Sequence, residues 1–415
     1  MFARLDYLAY QTGSYLNKRC KRAKCLTGRI APVFGCRGIS EFGPKKGDSP
    51  PQHRKTGTPA RSAKYRNTHH LNTVPRGNLP RAMPALEVRD LEVSFGTTKI
   101  LRGVSFDLEA GETLGVVGES GCGKSMTGFA IMGMLQPPGK ITAGSIKLDG
   151  KNLVGLKERE MRDIRGDQIA LVMQDPFTSL NPMMRIGDQI GEAFLLHQGM
   201  KKREAWSKAI EMLEKVGVPD PDGAARKYPH QMSGGQRQRV VIAIAFACKP
   251  DVLIADEPTT ALDVTTQAQI LRLIRDLQET NGTAVMLISH DVGAIASISQ
   301  RIAVFYGGQI VEQGPAERVL RHPAMPYTRA LLNALPHAGM TRLEAIGGYP
   351  PDFSNLPQGC AFSPRCPLKI DKCTTEPQLS SVESGHISRC WRSEEVLNMQ
   401  EGKFLTSEAE EHPIK

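Results

Sequence analysis

The sequence predicts an α/β chain built around a phosphate-binding loop, and three observations carry that reading. GESGCGKS at 118–125 follows the strand-like TLGVV and precedes the helix-like SMTGFAIMGML. Two further apolar runs, DVLIADEP at 251–258 and VMLISH at 285–290, read as buried strands that end in polar residues. The length of 415 residues leaves room for two or three domains with their own cores.

The net charge of +10 is unevenly placed. Residues 1–82 hold 17 Lys/Arg against 3 Asp/Glu, and the remainder 36 against 40. The first segment has scattered Gly and Pro, the cluster KRCKRAK at 18–24 and no sustained apolar period, so it is expected to be disordered. It lacks the apolar core of a secretory signal; an organellar transit peptide or an RNA-binding arm fits its charge. A plainer reading places the true start at Met83, where MPALEVRDLEVSFG opens into alternating apolar and polar residues. The longest apolar run, VVIAIAFAC at 240–248, is far short of the roughly twenty residues of a membrane helix. A soluble protein, or one held at a membrane by a partner, is expected.

In the loop at 118–125, glycines admit backbone N–H groups to a polyphosphate, and the following helix adds its partial positive end. Gly118, Glu119, Ser120, Gly121, Cys122, Gly123, Lys124, Ser125 and Met126 are the candidate nucleotide-binding residues. Lys124 is placed for the β- and γ-phosphates and Ser125 for Mg²⁺. A Gly-rich turn can match this pattern by chance, but the later signals argue against chance. Asp256 would complete the Mg²⁺ shell, and Glu257 would polarise an attacking water. A histidine such as His290 is more often structural; at the tip of a parallel strand it would contact the γ-phosphate and orient the water. Cys122 is expected to be a small filler, with a reactive, low-pKa thiol beside Lys124 as the other reading.

From Gln231 the chain reads QMSGGQRQRVVIAIAFA. Ser233, Gly234, Gly235 and Gln236 look like a helix start, with 240, 241, 244 and 247 as its buried face. Glycines opening a helix make a second anion site, so one chain holds two phosphate cradles. A further helix is marked by Ile270, Leu273, Ile274 and Leu277 and closed by Asn281-Gly282.

The order GESGCGKS, Gln174 after IALVM, MSGGQ, LIADE, TALD at 260–263 and His290 resembles an ATP-binding-cassette (ABC) ATPase over about residues 85–320. Met232 stands where that family usually has Leu, and Phe95 where it usually has the Tyr that stacks on adenine. The resemblance implies an α/β P-loop NTPase domain with antiparallel β and α-helical subdomains. It implies ATP and Mg²⁺, with Ser125, Gln174 and Asp256 near the metal and Glu257, His290 and Gln174 serving hydrolysis. It also implies a head-to-tail dimer in which the SGGQ of one subunit caps the nucleotide of the other, with Asp263 at the interface.

QDPFTSLNPMMRIGDQI at 174–190, HPAMPYTRALLNALP at 322–336 and YPPDFSNLPQGCAFSPRCP are similar to the dipeptide/oligopeptide/nickel importer branch. The implied function is the ATPase subunit of a bacterial importer for peptides, with nickel, glutathione or opine-like solutes as alternatives. Its implied partners are a second, similar ATPase in a heterodimer, two membrane permeases and an extracytoplasmic solute-binding protein, at the cytoplasmic face of the inner membrane. A nucleic-acid-handling ATPase using the basic tail is the alternative of another class; no nucleic-acid partner is expected.

Nine cysteines include four in the Pro-rich stretch that ends the chain: Cys360, Cys366, Cys373 and Cys390. Buried structural thiols would lie in apolar periodic segments, and disulfides are disfavoured without an export signal. A metal site fits best, with a [4Fe–4S] cluster favoured by the varied spacing and the Cys366-Pro367 step, and zinc as the alternative. The expected layout is an extension at 1–82, an ATPase domain at 83–321 with a helical subdomain at about 175–240, a small Cys-rich domain at 322–392 and a mobile acidic tail at 393–415.

Overall fold

A computed structural model describes residues 83–260, 262–334 and 346–399. The basic segment 1–82 and the tail beyond residue 399 lie outside the described residues.

The strands, in chain order, are β1 (Leu86–Phe95), β2 (Thr98–Leu108), β3 (Thr113–Val117), β4 (Gly139–Leu148), β5 (Lys151–Asn152) and β6 (Ile169–Val172). They continue with β7 (Val252–Asp256), β8 (Ala284–Ile288), β9 (Arg301–Tyr306), β10 (Gln309–Pro315), β11 (Ser380–Glu383) and β12 (His386–Ser388). A four-stranded antiparallel sheet has the order β2-β1-β4-β5, and an eight-stranded sheet the order β11-β12-β10-β9-β3-β8-β7-β6. The centre of the large sheet is parallel, through the pairs β9–β3, β3–β8, β8–β7 and β7–β6.

Every residue of β3, β7 and β8 is buried, as continuous apolar strands covered on both faces must be. Val252 and Ile254 face the antiparallel sheet, together with Leu86, Val88 and Phe106. Leu253 and Ala255 face the helices on the other side. In register, Val116 pairs with Ile288 and Ile288 with Asp256. The three central strands therefore end level, and the loops leaving them open onto one crevice at their C-terminal edge.

The helical region contains Ile186–His197, Lys202–Lys215, Pro221–Arg226 and Gly234–Phe246. The last of these differs from the single buried face expected. Val240 through Cys248 are all buried, because the helix lies between the other helices and the sheet. Helix Val264–Asn281 ends as expected, with Gly282 at φ +70°, the left-handed conformation that a glycine cap adopts at least cost.

The small Cys-rich domain expected at 322–392 is joined to the ATPase sheet. β12 pairs antiparallel with β10, so this segment extends the main sheet. Phe362 packs against Tyr306 and Tyr327, with ring centroids 5.3 and 5.4 Å away, inside the same core as the central strands. A buried pair locks the joint: His386 Nε2 lies 2.7 Å from Glu312 Oε1, and both side chains are fully buried. The Glu312 carboxylate also accepts the N–H groups of Ala324 (2.6 Å) and Met325 (3.2 Å). The acidic stretch from Ser393 also begins with structure, a short helix Ser393–Leu397. Val396 is fully buried, and Arg329 donates to the carbonyls of Val396 and Met399.

Candidate active site

The loop after β3 is shaped by glycines. Gly118 has φ +150°, and a Cβ there would lie 2.3 Å from the Phe305 carbonyl; Gly123, at φ +109°, caps helix Lys124–Ile131. Lys124 Nζ donates to the carbonyls of Gly118 (2.8 Å) and Glu119 (2.9 Å), so the ammonium is folded into the loop it serves. Ser125 Oγ donates to Asp256 Oδ1 at 3.0 Å, joining the loop helix to the end of β7. Burial, opposed by the Ser125 bond, raises the Asp256 pKa above the ordinary carboxylate value.

Glu257 leaves β7 with φ +49°, strained for a residue with a Cβ, and its N–H is held by the Ile288 carbonyl at 2.8 Å. Its Oε2 accepts Gln174 Nε2 (2.7 Å) and Thr260 Oγ1 (2.9 Å), and His290 Nδ1 lies 3.3 Å from Oε1. Three residues named from the sequence, Gln174, Glu257 and His290, thus meet in one cluster. Thr260 was not foreseen as a partner, although it stands inside TALD.

Ser233 and Gln236 form a reciprocal capping box. Ser233 Oγ accepts the Gln236 N–H, and Gln236 Oε1 accepts the Ser233 N–H at 3.1 Å. Gly235 lies against Thr266, where a Cβ would meet Cγ2 at 3.0 Å. Asp263 caps helix Val264–Asn281 by accepting the Thr266 N–H (3.0 Å) and hydroxyl (2.7 Å), which hold its pKa down.

Cys122 is 6% exposed, and burial pushes its thiol pKa up despite Lys124 nearby, so the reactive-thiol reading fails on desolvation. Phe95 lies over Gly139, where a Cβ would meet its ring at 2.5 Å. A cavity beside the loop, about 440 Å³, is lined by Thr98, Ile100, Glu119–Cys122, Tyr306, Gly307 and Pro350–Ser354. The segment Pro350–Ser354 belongs to the YPPDFSN phrase that resembles the importer branch, but nothing in the sequence placed it beside the phosphate loop.

Cys360, Cys366, Cys373 and Cys390 line one further cavity, with Phe362, Leu368 and Trp391 around them. It encloses about 10 Å³, room for one water-sized body. Burial and the neighbouring sulfurs push the Cys366 thiol up to about 12 and the Cys390 thiol up to about 11. The donor set suits a thiophilic metal, which would reverse that repulsion. Among the described residues, however, no three Cys, His, Asp or Glu side chains stand as a ready metal-holding group.

Comparisons with known proteins show the family of the chain. Residues 101–260 match the ABC transporter family, and residues 311–373 match the oligopeptide/dipeptide transporter C-terminal region. The chain is 48% identical to a probable peptide ABC transporter ATP-binding protein of Sinorhizobium fredii, covering 77% of this chain and 98% of that protein. It is 47% identical to a dipeptide transport ATP-binding protein of Bacillus subtilis, covering 74% and 94%. It is also 45% identical to an oligopeptide transport ATP-binding protein of Salmonella typhimurium, covering 75% and 95%. A dimeric ATP-binding cassette solved in a post-hydrolysis state with ADP and phosphate aligns with TM-score 0.50 and 28% identity, covering 56% of this chain and 98% of that one. The chain therefore belongs to the ABC transporter ATPase family, as an ATP-hydrolysing transporter subunit that carries the oligopeptide/dipeptide transporter C-terminal region.

Proposed function

We propose that this ATPase energises the import of di- and oligopeptides through a membrane complex. The match across 311–373, a region characteristic of peptide transporters, carries the reading. In this reading the chain sits at the cytoplasmic face of a bacterial inner membrane, against two permeases fed by an extracytoplasmic solute-binding protein. A second, similar ATPase completes a heterodimer. No described helix is long and apolar enough to cross a membrane, so contact with the bilayer would run through those partners.

Hydrolysis would proceed by attack of water on the γ-phosphorus, with positioning and charge neutralisation as the main work. Loop amides and Lys124 would hold the polyphosphate. Ser125 and Asp256, joined by a 3.0 Å hydrogen bond, would hold Mg²⁺. The ion would offset charge on the phosphate oxygens. Glu257 would orient and polarise the water, with Gln174 and Thr260 fixing its carboxylate and His290 reaching the γ-phosphate. The capping Ser233–Gln236 would come from the partner ATPase, with Asp263 at the interface between the two.

Phe177 and Met183, in the segment after Gln174, are 66% and 83% exposed, a natural apolar contact for a permease. Arg237, on the signature helix, lies 4.0 Å over the Phe177 ring and ties that surface to the SGGQ motif. Phe177→Asp keeps a partner for Arg237 but removes the apolar face. It is expected to leave ATPase activity of the free subunit intact and lower dipeptide uptake by the reconstituted complex at least ~10-fold, the scale of one lost interface anchor. Undiminished uptake would remove the docking surface, and uptake of nickel without peptides would overturn the solute class.

For the four thiols we propose a resident metal centre, with a [4Fe–4S] cluster ahead of zinc on spacing and the Cys-Pro step. The space between them as it stands suits a single ion, so a cluster would require the loops at 360–373 and 390 to part. Anaerobically purified protein is expected to contain iron and acid-labile sulfide in equal amounts, with absorption near the ~400 nm region typical of such clusters. One zinc per chain and no colour would select the alternative, and no metal would reject the site.

A further inference from the structure

Glu119 is the acidic residue of GESGCGKS, a carboxylate in a loop otherwise arranged for an anion. Its backbone carbonyl accepts Lys124 Nζ at 2.9 Å, so wherever Glu119 sits, the catalytic lysine is drawn with it. The side chain does not face the loop's own helix. It is gripped by Arg365, 246 residues later, through Nη1 to Oε2 at 2.7 Å and Nη2 to Oε1 at 2.9 Å. The Glu119 N–H donates to Tyr327 Oη at 2.9 Å. All three polar groups of one loop residue are thus engaged, and two of the holders lie beyond residue 322.

Arg365 is itself rigidly seated. Its side chain is 5% exposed, and it donates to the Gly347 carbonyl (2.7 Å) and to Tyr306 Oη (3.2 Å). It also lies 5.9 Å from the Phe362 ring centroid. It directly precedes Cys366, so the thiol loops determine where the guanidinium stands. A bidentate, nearly buried pair of this kind is the geometry in which an arginine acts as a fixed counter-charge.

We propose that Arg365 is a positioning residue for the nucleotide site, cancelling the Glu119 charge and fixing the loop so that nucleotide affinity depends on how the Cys-rich extension is seated. The proposal rests on the ATPase reading and adds a second holder of the loop. An uncompensated carboxylate at the rim of an anion cradle opposes a polyphosphate directly. At the effective dielectric of a partly buried site this is worth roughly ten-fold in affinity.

The test uses the full chain, MgATP steady-state kinetics and binding of a fluorescent methylanthraniloyl ATP analogue. Arg365→Ala is expected to raise KM for MgATP roughly ten-fold with kcat within about two-fold, because ground-state binding is lost rather than transition-state contact. Adding Glu119→Gln to that variant is expected to restore most of the affinity, since the charge Arg365 cancelled is gone. Arg365→Lys, which keeps the charge and loses the fork, should fall between.

Glu119→Gln alone supplies the sign. A counter-charge role predicts tighter MgATP than wild type, because Arg365 is then left facing the cradle. A merely structural ion pair predicts weaker binding, and that result overturns the proposal, as does a double variant no tighter than Arg365→Ala. If Arg365→Ala does not fold, as judged by its thermal melt, the single Glu119→Gln measurement still decides. Wild-type protein that fails to bind the analogue would strike the ATPase reading instead.

Discussion

Glu257→Gln is expected to bind MgATP as the wild type does and to hydrolyse it ~10²- to 10⁴-fold more slowly, the range a positioned general base contributes. The substitution is close to isosteric, and an amide can still accept from Gln174 and Thr260, which now hold the carboxylate at 2.7 and 2.9 Å. The groups proposed for the phosphates and Mg²⁺, Lys124, Ser125 and Asp256, are untouched. Rate and binding should therefore separate, in single-turnover phosphate release against equilibrium nucleotide binding. Hydrolysis at the wild-type rate would remove Glu257 from the proposed role and leave His290, 63% exposed and 3.3 Å from it, as the group to examine.

Glu312→Ala is expected to cost about 3–5 kcal/mol of stability, the scale of breaking one side of a buried pair. Its carboxylate serves three buried donors at once: His386 Nε2 and the N–H groups of Ala324 and Met325. Truncation strands all three where water does not reach. His386→Ala should cost less, because the carboxylate keeps its two backbone donors. Denaturant unfolding would measure both, and hydrogen exchange should show β11 and β12 opening first. A loss below about 1 kcal/mol for Glu312→Ala would mean that the strands hold to the sheet without this lock.

What the sequence disclosed was local. The strand ends at Asp256 and His290, the glycine loop and the Ser233 cap each declare themselves within a few residues, because backbone chemistry imposes their patterns. Helix 234–246 was misjudged because periodicity reports one buried face and says nothing of a second neighbour arriving from elsewhere. Cys122 was read as a small filler, and its burial agrees with that reading over the reactive thiol, because a helix N-terminus lowers a thiol pKa only where the thiolate is solvated. The joining of the C-terminal segment to the main sheet was not legible, because SSVE and HIS are short and polar, and a strand's membership of a sheet is set by its partner. Arg365 stands inside the quoted SPRCP phrase, but nothing there marked it as a partner for the phosphate loop. Its ion pair closes over 246 residues, and an arginine in a Pro-rich loop looks like a solvated charge.

The added strands also constrain how the protein is born. β10 emerges from the ribosome long before β12, so the nascent sheet ends in an open edge, the kind of surface that pairs with other chains. Until His386 arrives, Glu312 lies at that edge without its side-chain partner. The cassette is thus expected to be exposed to misassembly during synthesis, and chaperones that shield strand edges should matter most while residues 316–386 are being made.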